Sequence, residues 1–526
     1  MTNAINAAPI NYSADSKIPG QLPYLITSQF LFVITGYLIY VGLARMLSEE
    51  SFGVYGVVIG VFTVINMVIN LGIQQTVSKF VSEDTEHSYL IMKRLFKMIF
   101  IFSLVIMVLL FLTAPIIAYL LNDPSLTSLI QWSGLIIFFY ALFTVYIGYF
   151  NGEKAFRKQG LYTILYIFLK TAGILSFVYF GFEVFGAIIG FIVATVLSFI
   201  IAFVAIHKIN ESKELKERYQ YVKHKLPLKK IADFALPLMG YAVVMYLVMY
   251  LDIFFVKALS PVSIANSNAG YYTAAQSLSR IPTFITNTFI IVVFPLIAAS
   301  VSQNNASKSR EYIRRSTRYT VAAVLPIAIA IMTTAEPLLT LFYSSKYVVA
   351  AGSLQILMFG LTFFALFTLL ANIAAGSGKP KIALYISLSI LVLISALSYF
   401  LVPLYGITGA AASASISFFL GMLIMSIYIY KEFKALIQLK SLLKILSAGI
   451  VMFIIGSVFN VVYSSYQTIF SSLFYLILYL GFVYLILGLV YAGMLYFCKE
   501  IKKEDINLYN RIVRKRFLQL NEKMFN

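Results

Sequence analysis

Long apolar stretches follow one another through almost the whole of this chain of 526 residues. A helix needs roughly 20 apolar residues to cross the hydrocarbon core of a bilayer, and about fourteen stretches between Pro23 and Phe497 are long enough. Backbone groups within lipid must be hydrogen-bonded inside their own segment, so each stretch is predicted to be an α-helix. The sequence therefore predicts an all-α integral membrane protein with about 14 transmembrane helices.

Composition agrees with this class. Charged residues make up 12% of the chain, about half of the roughly 25% found in soluble globular proteins, so there is too little polar surface to cover soluble domains. The predicted spans are Pro23–Met46, Phe52–Val77, Leu95–Leu121, Leu126–Phe150, Leu161–Phe180, Val184–Ala205, Ile231–Ala258, Ala269–Val301, Thr320–Phe342, Val349–Ala374, Ile382–Leu401, Gly406–Tyr430, Leu443–Val462 and Phe470–Phe497.

Several classes of function find no support in the residues. Cys498 is the single cysteine, and the three histidines lie in polar connections, so neither a metal site nor a cofactor is predicted. The chain contains no G-x-x-x-x-G-K-[ST] phosphate loop, the motif that would indicate an ATPase. No predicted outer connection exceeds about a dozen residues. A catalytic domain on the outer side is therefore not expected.

The distribution of positive charge predicts the orientation. Alternate connections contain 35 of the 40 Lys and Arg residues, whereas the opposite side receives only Arg45, Lys257 and Lys346. Cytoplasmic loops carry an excess of Lys and Arg, so both termini are predicted to be cytoplasmic, in a multi-pass protein of the cell (plasma) membrane. The net charge of +19 then indicates a face opposite anionic lipid headgroups, with no nucleic acid as partner.

Short sequence matches recur in the same order over six predicted spans, which indicates an internal duplication. Gly53-Val54-Tyr55, for example, recurs as Gly270-Tyr271-Tyr272, and Ala114-Pro115 recurs as Glu336-Pro337. Six is an even number of crossings, so the two copies have the same orientation. We therefore predict two six-helix lobes related by a pseudo-two-fold axis along the membrane normal, with a cavity between them.

The predicted organisation follows from this duplication. Two further helices after the second lobe stand outside the repeat. The segments are a cytoplasmic N-tail (1–22), an N-lobe (23–206), a cytoplasmic linker (207–230), a C-lobe (231–430), helices thirteen and fourteen with their connecting loop (431–498) and a basic cytoplasmic C-tail (499–526).

Several passages resemble one transporter family. Asp252 followed by Leu259-Ser260 and by Gly270-Tyr271-Tyr272 resembles its passage from span seven into span eight, and Ala335-Glu336-Pro337-Leu338-Leu339 resembles its span nine. Tyr343-Ser344-Ser345 replaces the usual glycine-containing turn. The chain thus resembles the polysaccharide-transporter (O-antigen flippase-like) branch of the multidrug/oligosaccharidyl-lipid/polysaccharide exporter superfamily. The resemblance implies alternating-access export of an undecaprenyl- or dolichyl-linked saccharide.

Two basic residues within predicted spans are candidates for binding the substrate. Ionisable residues inside a membrane are costly and often functional. Lys170 lies near mid-depth of the first lobe and Arg280 near mid-depth of the second. One cation from each lobe, facing a shared cavity, could hold the phosphates of a lipid-linked sugar. The alternative is structural: each cation is neutralised by a carboxylate for packing alone.

Acidic residues in the second lobe have two readings. Asp252 could neutralise Arg280, because their predicted depths differ by about one helical turn. Alternatively, Asp252, or Glu336 beside Pro337, could take a coupling ion, H⁺ or Na⁺. Amide side chains offer a further set of cavity candidates that could bind sugar hydroxyls or merely bridge helices. These amides are Asn66, Asn70 and Gln355.

We therefore predict a flippase that moves a polyprenyl-(pyro)phosphate-linked oligosaccharide from the cytoplasmic to the outer leaflet for cell-surface polysaccharide synthesis. A multidrug or cation antiporter of the same fold is the main alternative, which would favour acids and aromatics over cations in the cavity. A membrane glycan polymerase or ligase is a third, disfavoured by the short outer loops.

Overall fold

A computed structural model describes residues 21–207, 227–467 and 469–500 of the chain. Most of the predicted N-tail, C-tail and linker lie outside these residues. The helices are α1 (Leu22–Met46), α2 (Glu49–Ile69), α3 (Gln75–Glu83), α4 (Ser88–Leu120), α5 (Leu126–Gly152), α6 (Phe156–Phe177), α7 (Glu183–His207), α8 (Leu228–Leu259), α9 (Ala265–Ser279), α10 (Ile281–Ser302), α11 (Ala306–Thr333), α12 (Ala335–Phe342), α13 (Ala351–Gly376), α14 (Pro380–Phe433), α15 (Leu439–Ser465) and α16 (Leu473–Phe497). A π-helical turn, Asn70–Gln74, joins α2 to α3, and another, Val178–Phe182, follows α6. The described part of the chain is thus all-helical, as predicted.

Twelve helical segments among the described residues are long and apolar enough to cross a membrane. Two of them, Phe156–Ile206 and Pro380–Phe433, have 51 and 54 residues, far more than the roughly 20 needed for one crossing. Each contains a glycine with positive φ, Gly181 in the first and Gly406 in the second. The predicted number of fourteen spans depends on counting each of these segments twice, and it stays a prediction.

Packing within both long segments supports a reversal of the chain. The helices α6 and α7 pack against each other so closely that a Cβ atom on Gly173 would lie 2.5 Å from the Gly190 carbonyl oxygen. In α14, Gly421 packs against Ile390, and Gly406 lies between them along the chain with φ 56° and ψ −133°. Only glycine adopts such a conformation without steric cost, so the second segment turns at a residue suited to it.

The backbone also preserves the internal duplication. Three residues with positive φ in the first half, Asn122, Lys154 and Glu183, have counterparts in the second at Ser344, Gly378 and Gly406. These positions form pairs in chain order with nearly the same spacing. Glu183 (φ 46°, ψ −138°) has almost the conformation of Gly406. The two halves therefore change direction at corresponding residues.

Two predicted spans are interrupted by breaks. Span eight divides at Arg280 into α9 and α10, because Pro282 lacks an N–H and its ring clashes with the preceding turn. Span nine divides at Thr334 (φ −117°, ψ 28°) into α11 and the short α12. Proline and polar residues at these breaks are tolerated because neighbouring helices satisfy the freed backbone groups.

The chain packs into two compact units. The first comprises residues 1–274 with 398–407, and the second comprises 275–397 with 408–526. In the first unit α5 is enclosed by α2, α4 and α7, and α8 packs along α2. In the second unit α15 and α16 share an apolar core with α11 that includes Ile329, Met452 and Leu487. The predicted lobe boundary at residues 206–231 follows the repeat, whereas the units divide within α9.

Candidate functional site

A pair of glycines joins the two copies of the repeat within the first unit. A methyl group on Gly53 would collide with the carbonyl oxygen of Asn266, and one on Gly270 would collide with that of Glu49. Asn266 precedes Gly270 by four residues, as Glu49 precedes Gly53. The contact between α2 and α9 is therefore symmetric, as expected for equivalent residues that meet across a two-fold axis. Only glycine allows the backbones to come so close.

A buried ion pair reinforces this junction. The Lys257 ammonium, 3% exposed, donates to Asp123 Oδ2 at 2.7 Å and also to Asn266 Oδ1. Lys257 lies in the last turn of α8 and Asp123 lies between α4 and α5, so the pair connects residues of the two repeat halves. Asn122 Nδ2 donates to the Ala258 carbonyl at 2.7 Å in parallel. We call Asn122, Asp123, Lys257, Ala258 and Asn266, with the glycine pair, the latch.

Electrostatics keep the latch charged. Partial burial raises the pKa of Asp123, but hydrogen bonds from Lys257 and Ser125 and the nearby ammonium outweigh this effect and lower it below its ordinary value. The net effect favours the carboxylate. The latch lies at the ends of α4 and α8, away from Lys93 and Lys230, which lie near the starts of those helices.

Lys170 lies in α6, within a predicted span, and is surrounded by rings. Its ammonium nitrogen is 5.1 Å from the ring centroid of Phe32, 5.5 Å from that of Phe191 and 5.7 Å from that of Tyr166. Three helices, α1, α6 and α7, supply these rings. Among the described residues, no carboxylate lies within ion-pair distance of it. Cation–π contacts stabilise the charge only partly, so the described residues leave this ammonium without a full counter-charge.

Arg280 lies at the break between α9 and α10. Its terminal nitrogen Nη2 donates to Gln276 Oε1, one helical turn earlier, at 2.9 Å. Ser277, on the same helix, shares a hydrogen bond of 2.5 Å with the Tyr343 hydroxyl. The break therefore carries a cation and a set of polar groups within a membrane segment, the arrangement in which transporters bind anionic groups.

Asp252 is buried in the first unit and accepts a hydrogen bond of 2.6 Å from the Tyr272 hydroxyl. The Ile253 N–H lies 2.9 Å from its other oxygen, Oδ1. Tyr55, which corresponds to Tyr272 in the repeat, instead packs edge-on against Tyr40 with ring centroids 6.2 Å apart. The acid–phenol pair therefore occurs in one copy of the repeat and not in the other.

The remaining predicted residues occupy different environments. Gln355 donates to the Met332 carbonyl at 3.1 Å and so bridges α13 and α11. Glu336 lies in the first turn of α12, half-buried. The buried Asn66 has a carbonyl oxygen that no donor reaches among the described residues. Asn70 belongs to the π-helical turn after α2, but its side chain lies outside the described part of the structure.

Sequence reasoning did not identify the residues of the latch as functional. Lys257 was recognised only as one of three cations on the less basic side, and Asp123 and Asn122 had no predicted role. One sequence signal was available: Gly53 and Gly270 are matched residues of the repeat, and equivalent glycines can meet at a two-fold axis. The ion pair links residues 134 positions apart, which no local pattern reveals.

Known structures share this fold. The fold is similar to that of the lipid II flippase MurJ in an inward closed conformation, with a TM-score of 0.68 and 18% identity over 90% of this chain and 100% of that chain. An inward-facing multidrug resistance MATE family transporter of the MOP superfamily matches with a TM-score of 0.62 and 15% identity, over 76% of this chain and 94% of that one. The MATE transporter VcmN from Vibrio cholerae matches with a TM-score of 0.55 and 16% identity, over 80% of this chain and 98% of that one.

A curated relative and a family model extend the comparison. The uncharacterized membrane protein MJ1068 of Methanocaldococcus jannaschii is 28% identical over 159 residues, 30% of this chain and 31% of that protein. The chain thus matches about a third of that relative's length. The solved structures are flippases and transporters rather than enzymes. The family model described as "Polysaccharide biosynthesis protein" matches residues 42–352. The chain belongs to this polysaccharide biosynthesis protein family.

Proposed function

We propose that this protein is a flippase that moves a polyprenyl-(pyro)phosphate-linked oligosaccharide from the cytoplasmic to the outer leaflet by alternating access. The observation that carries the proposal is Lys170, a cation in a membrane segment with aromatic rings around it and no carboxylate beside it among the described residues. A phosphate group would supply the missing negative charge. The family, which is that of polysaccharide biosynthesis proteins, supports a saccharide as cargo.

Arg280 is the second proposed contact to the phosphates. It lies at a helix break whose polar groups could bind the headgroup, and Asn66 has a free acceptor for a sugar hydroxyl. We propose Asn70 and Gln355 as further sugar contacts. A guanidinium binds a phosphate with two parallel hydrogen bonds, so Arg280→Lys should keep part of the transport and Arg280→Ala should lose nearly all of it.

The latch is the proposed outer gate. It joins parts of the two repeat halves, and it lies at the helix ends assigned to the outer side by the positive-inside rule. Release of the saccharide outside would require the ion pair and the glycine contact to separate. A closed latch with an open inner side is the state that would receive a substrate from the cytoplasmic leaflet.

Reconstitution tests the function directly. The purified chain is placed in vesicles with a fluorescent polyprenyl-pyrophosphate saccharide. A membrane-impermeant quencher then reports the fraction of this lipid-linked saccharide that it can reach.

A disulfide tests the gate. Asn122→Cys and Ala258→Cys are introduced with Cys498→Ser. Oxidation should stop transport and reduction restore it, because residues 122 and 258 touch in the closed latch. Transport at the wild-type rate after complete oxidation would exclude opening at this place.

A multidrug or cation antiporter is the second candidate, favoured by the buried Asp252–Tyr272 pair. The same vesicles distinguish the two functions, since an antiporter would accumulate an organic cation and leave the lipid-linked saccharide in place.

We propose Asp252, or else Glu336, as the residue that binds a coupling H⁺ or Na⁺. Asp252→Asn should then uncouple transport from the ion gradient. If Asp252 instead neutralises Arg280, Asp252→Ala alone should cost more stability than Asp252→Ala with Arg280→Ala.

Cysteine labelling tests the proposed orientation. Ser263, between α8 and α9, and Ser307, at the start of α11, are exposed and lie on opposite predicted sides. In a Cys498→Ser chain, Ser263→Cys should react with an impermeant maleimide in intact cells and Ser307→Cys should not. Labelling at residue 307 and not at residue 263 would show that the orientation is opposite to the predicted one.

A further inference from the structure

A cavity of about 440 Å³ lies in the second unit where α11 and α15 begin. Four arginines of α11 line it, and Gln438 and Ser441 close it from the start of α15. Three of these arginines recur every four residues and so form one stripe along the helix. They are Arg310, Arg314 and Arg318. This cavity is separate from the residues proposed to bind the transported substrate.

The charges in the cavity are not balanced. Among the described residues that line it, Glu311 carries the one carboxylate, and Arg315 binds it at 2.8 Å. Arg318 is paired at 2.7 Å with Glu500, which is almost fully buried. Arg310 donates only to the Phe433 carbonyl, through Nε at 3.0 Å. Within the described part of the chain, Arg314 has no hydrogen-bond or ion-pair partner, so two guanidinium groups lack an anion.

The surroundings of the cavity favour a lipid over a soluble anion. Helix α15 continues from the cavity wall with Leu439 and Leu443, whose side chains are 68% and 56% exposed. Both residues belong to a helix long and apolar enough to span the membrane. An anionic group in the cavity would therefore lie beside an apolar surface suited to acyl chains. Arg and Tyr side chains at the end of such helices are typical of the headgroup region.

We propose that this cavity binds the phosphate of an anionic phospholipid of the surrounding leaflet. Arg310 and Arg314 supply the charge and the paired N–H donors, and the exposed Ser307 hydroxyl supplies a further donor. Arg318 stays paired with Glu500 and forms part of the cavity wall. The acyl chains lie along Leu439 and Leu443. This inference does not depend on the cargo of the transporter.

Lipid-dependent stabilisation of the purified full chain tests the site. Thermal unfolding in detergent is measured with added phosphatidylglycerol and with phosphatidylcholine. The double variant Arg310→Gln, Arg314→Gln should bind phosphatidylglycerol roughly tenfold more weakly, because two contacts from exposed guanidinium groups, each weaker than a buried one, are lost. The single variant Arg314→Gln removes no side-chain hydrogen bond or ion pair of the described structure and should fold normally. It should show a smaller loss in the same direction.

A matched control removes two charges elsewhere. Lys93 and Lys97 are also exposed, also four residues apart, and lie near the start of α4. Lys93→Gln with Lys97→Gln should leave the phosphatidylglycerol effect unchanged. An equal loss in both double variants, or no loss in either arginine variant, would overturn the site. Stabilisation by inorganic phosphate alone that disappears in the Arg310, Arg314 variant would overturn the lipid as its source.

Discussion

Two lysines of the same compact unit, the buried Lys257 and the half-buried Lys170, differ in what surrounds their charges. Lys257 is 3% exposed and has a carboxylate at 2.7 Å and the Asn266 amide as partners. Lys170 lies among three aromatic rings and has no carboxylate near it in the described structure. The first charge is compensated within the protein, whereas the second is compensated only by rings.

We propose that the difference separates a structural charge, Lys257, from one that serves a ligand, Lys170. A buried ion pair is costly to break, because removal of one partner leaves the other uncompensated. Such a pair holds two elements together, as Lys257 holds α8 to the connection between α4 and α5. A cation without a carboxylate is costly to keep, and a transported anion would recover part of that cost. Lys257 should therefore affect stability, and Lys170 should affect transport.

The largest expected effect is on transport by Lys170→Met. Removing one charge-assisted contact of roughly 1.5–3 kcal/mol should slow saccharide flipping about 10- to 100-fold. Stability in detergent should stay the same or rise, since an apolar side chain of similar length replaces a charge among rings. Lys170→Arg serves as the control and should retain most transport. Normal flipping by Lys170→Met would show that this cation does not meet the substrate.

The opposite pattern is expected at the latch. Asp123→Asn leaves a buried ammonium with amide partners only and should cost about 2 kcal/mol of unfolding free energy, less than a fully buried pair because Asp123 is near the surface. Lys257→Met should cost about half as much, since Asp123 keeps its Ser125 hydrogen bonds and reaches water. Denaturation of both variants and of their combination measures the difference. Equal losses of unfolding free energy in Asp123→Asn and Lys257→Met would mean that the deeper burial of Lys257 does not determine which variant is less stable.

A smaller effect is expected for another charged residue, the buried Asp252. Its hydrogen bond from Tyr272 should give a coupling free energy of about 1 kcal/mol in a cycle of Asp252→Asn and Tyr272→Phe. Thermal unfolding of the three variants measures it. The pair Tyr55→Phe with Asp252→Asn is the control, because Tyr55 packs against Tyr40 in the other copy of the repeat. A coupling energy as large in the control would remove the special role of Tyr272.

The smallest effect is the dependence of the latch on pH. Because the pKa of Asp123 is lowered in the folded chain, its contribution to stability is present above the ordinary carboxyl pKa of about 3.9 and is lost as the pH falls through the lower folded value. The stability gap between the wild type and Asp123→Asn should be constant at neutral pH and shrink below about pH 4. A gap that shrinks already near neutrality would require a different titrating group.

Local patterns predicted the helices well and the contacts only in part. Apolar length was sufficient to find the long apolar helices, although the number of spans stays a prediction, and the repeat indicated that Gly53 and Gly270 are equivalent. The break at Arg280 was missed, although Pro282 signals it, because the apolar run continues on both sides. That no acid of the described residues lies beside Lys170, and that Asp123 lies beside Lys257, depends on tertiary packing between distant segments. Hydropathy carries no information about either.

The contact between Gly53 and Gly270 has an evolutionary consequence. Two identical half-length chains associated about a two-fold axis would place the same glycine of each copy in this contact. Fusion of two such copies would convert a dimer interface into a junction within one chain. A single glycine of the shorter chain would then correspond to two residues that can mutate separately. Divergence of the halves could then change the cations, acids and loops independently, as Lys170 and Asp252 illustrate. At the axis itself both positions would have to stay glycine, because a side chain on either one would collide with the backbone of the opposite helix.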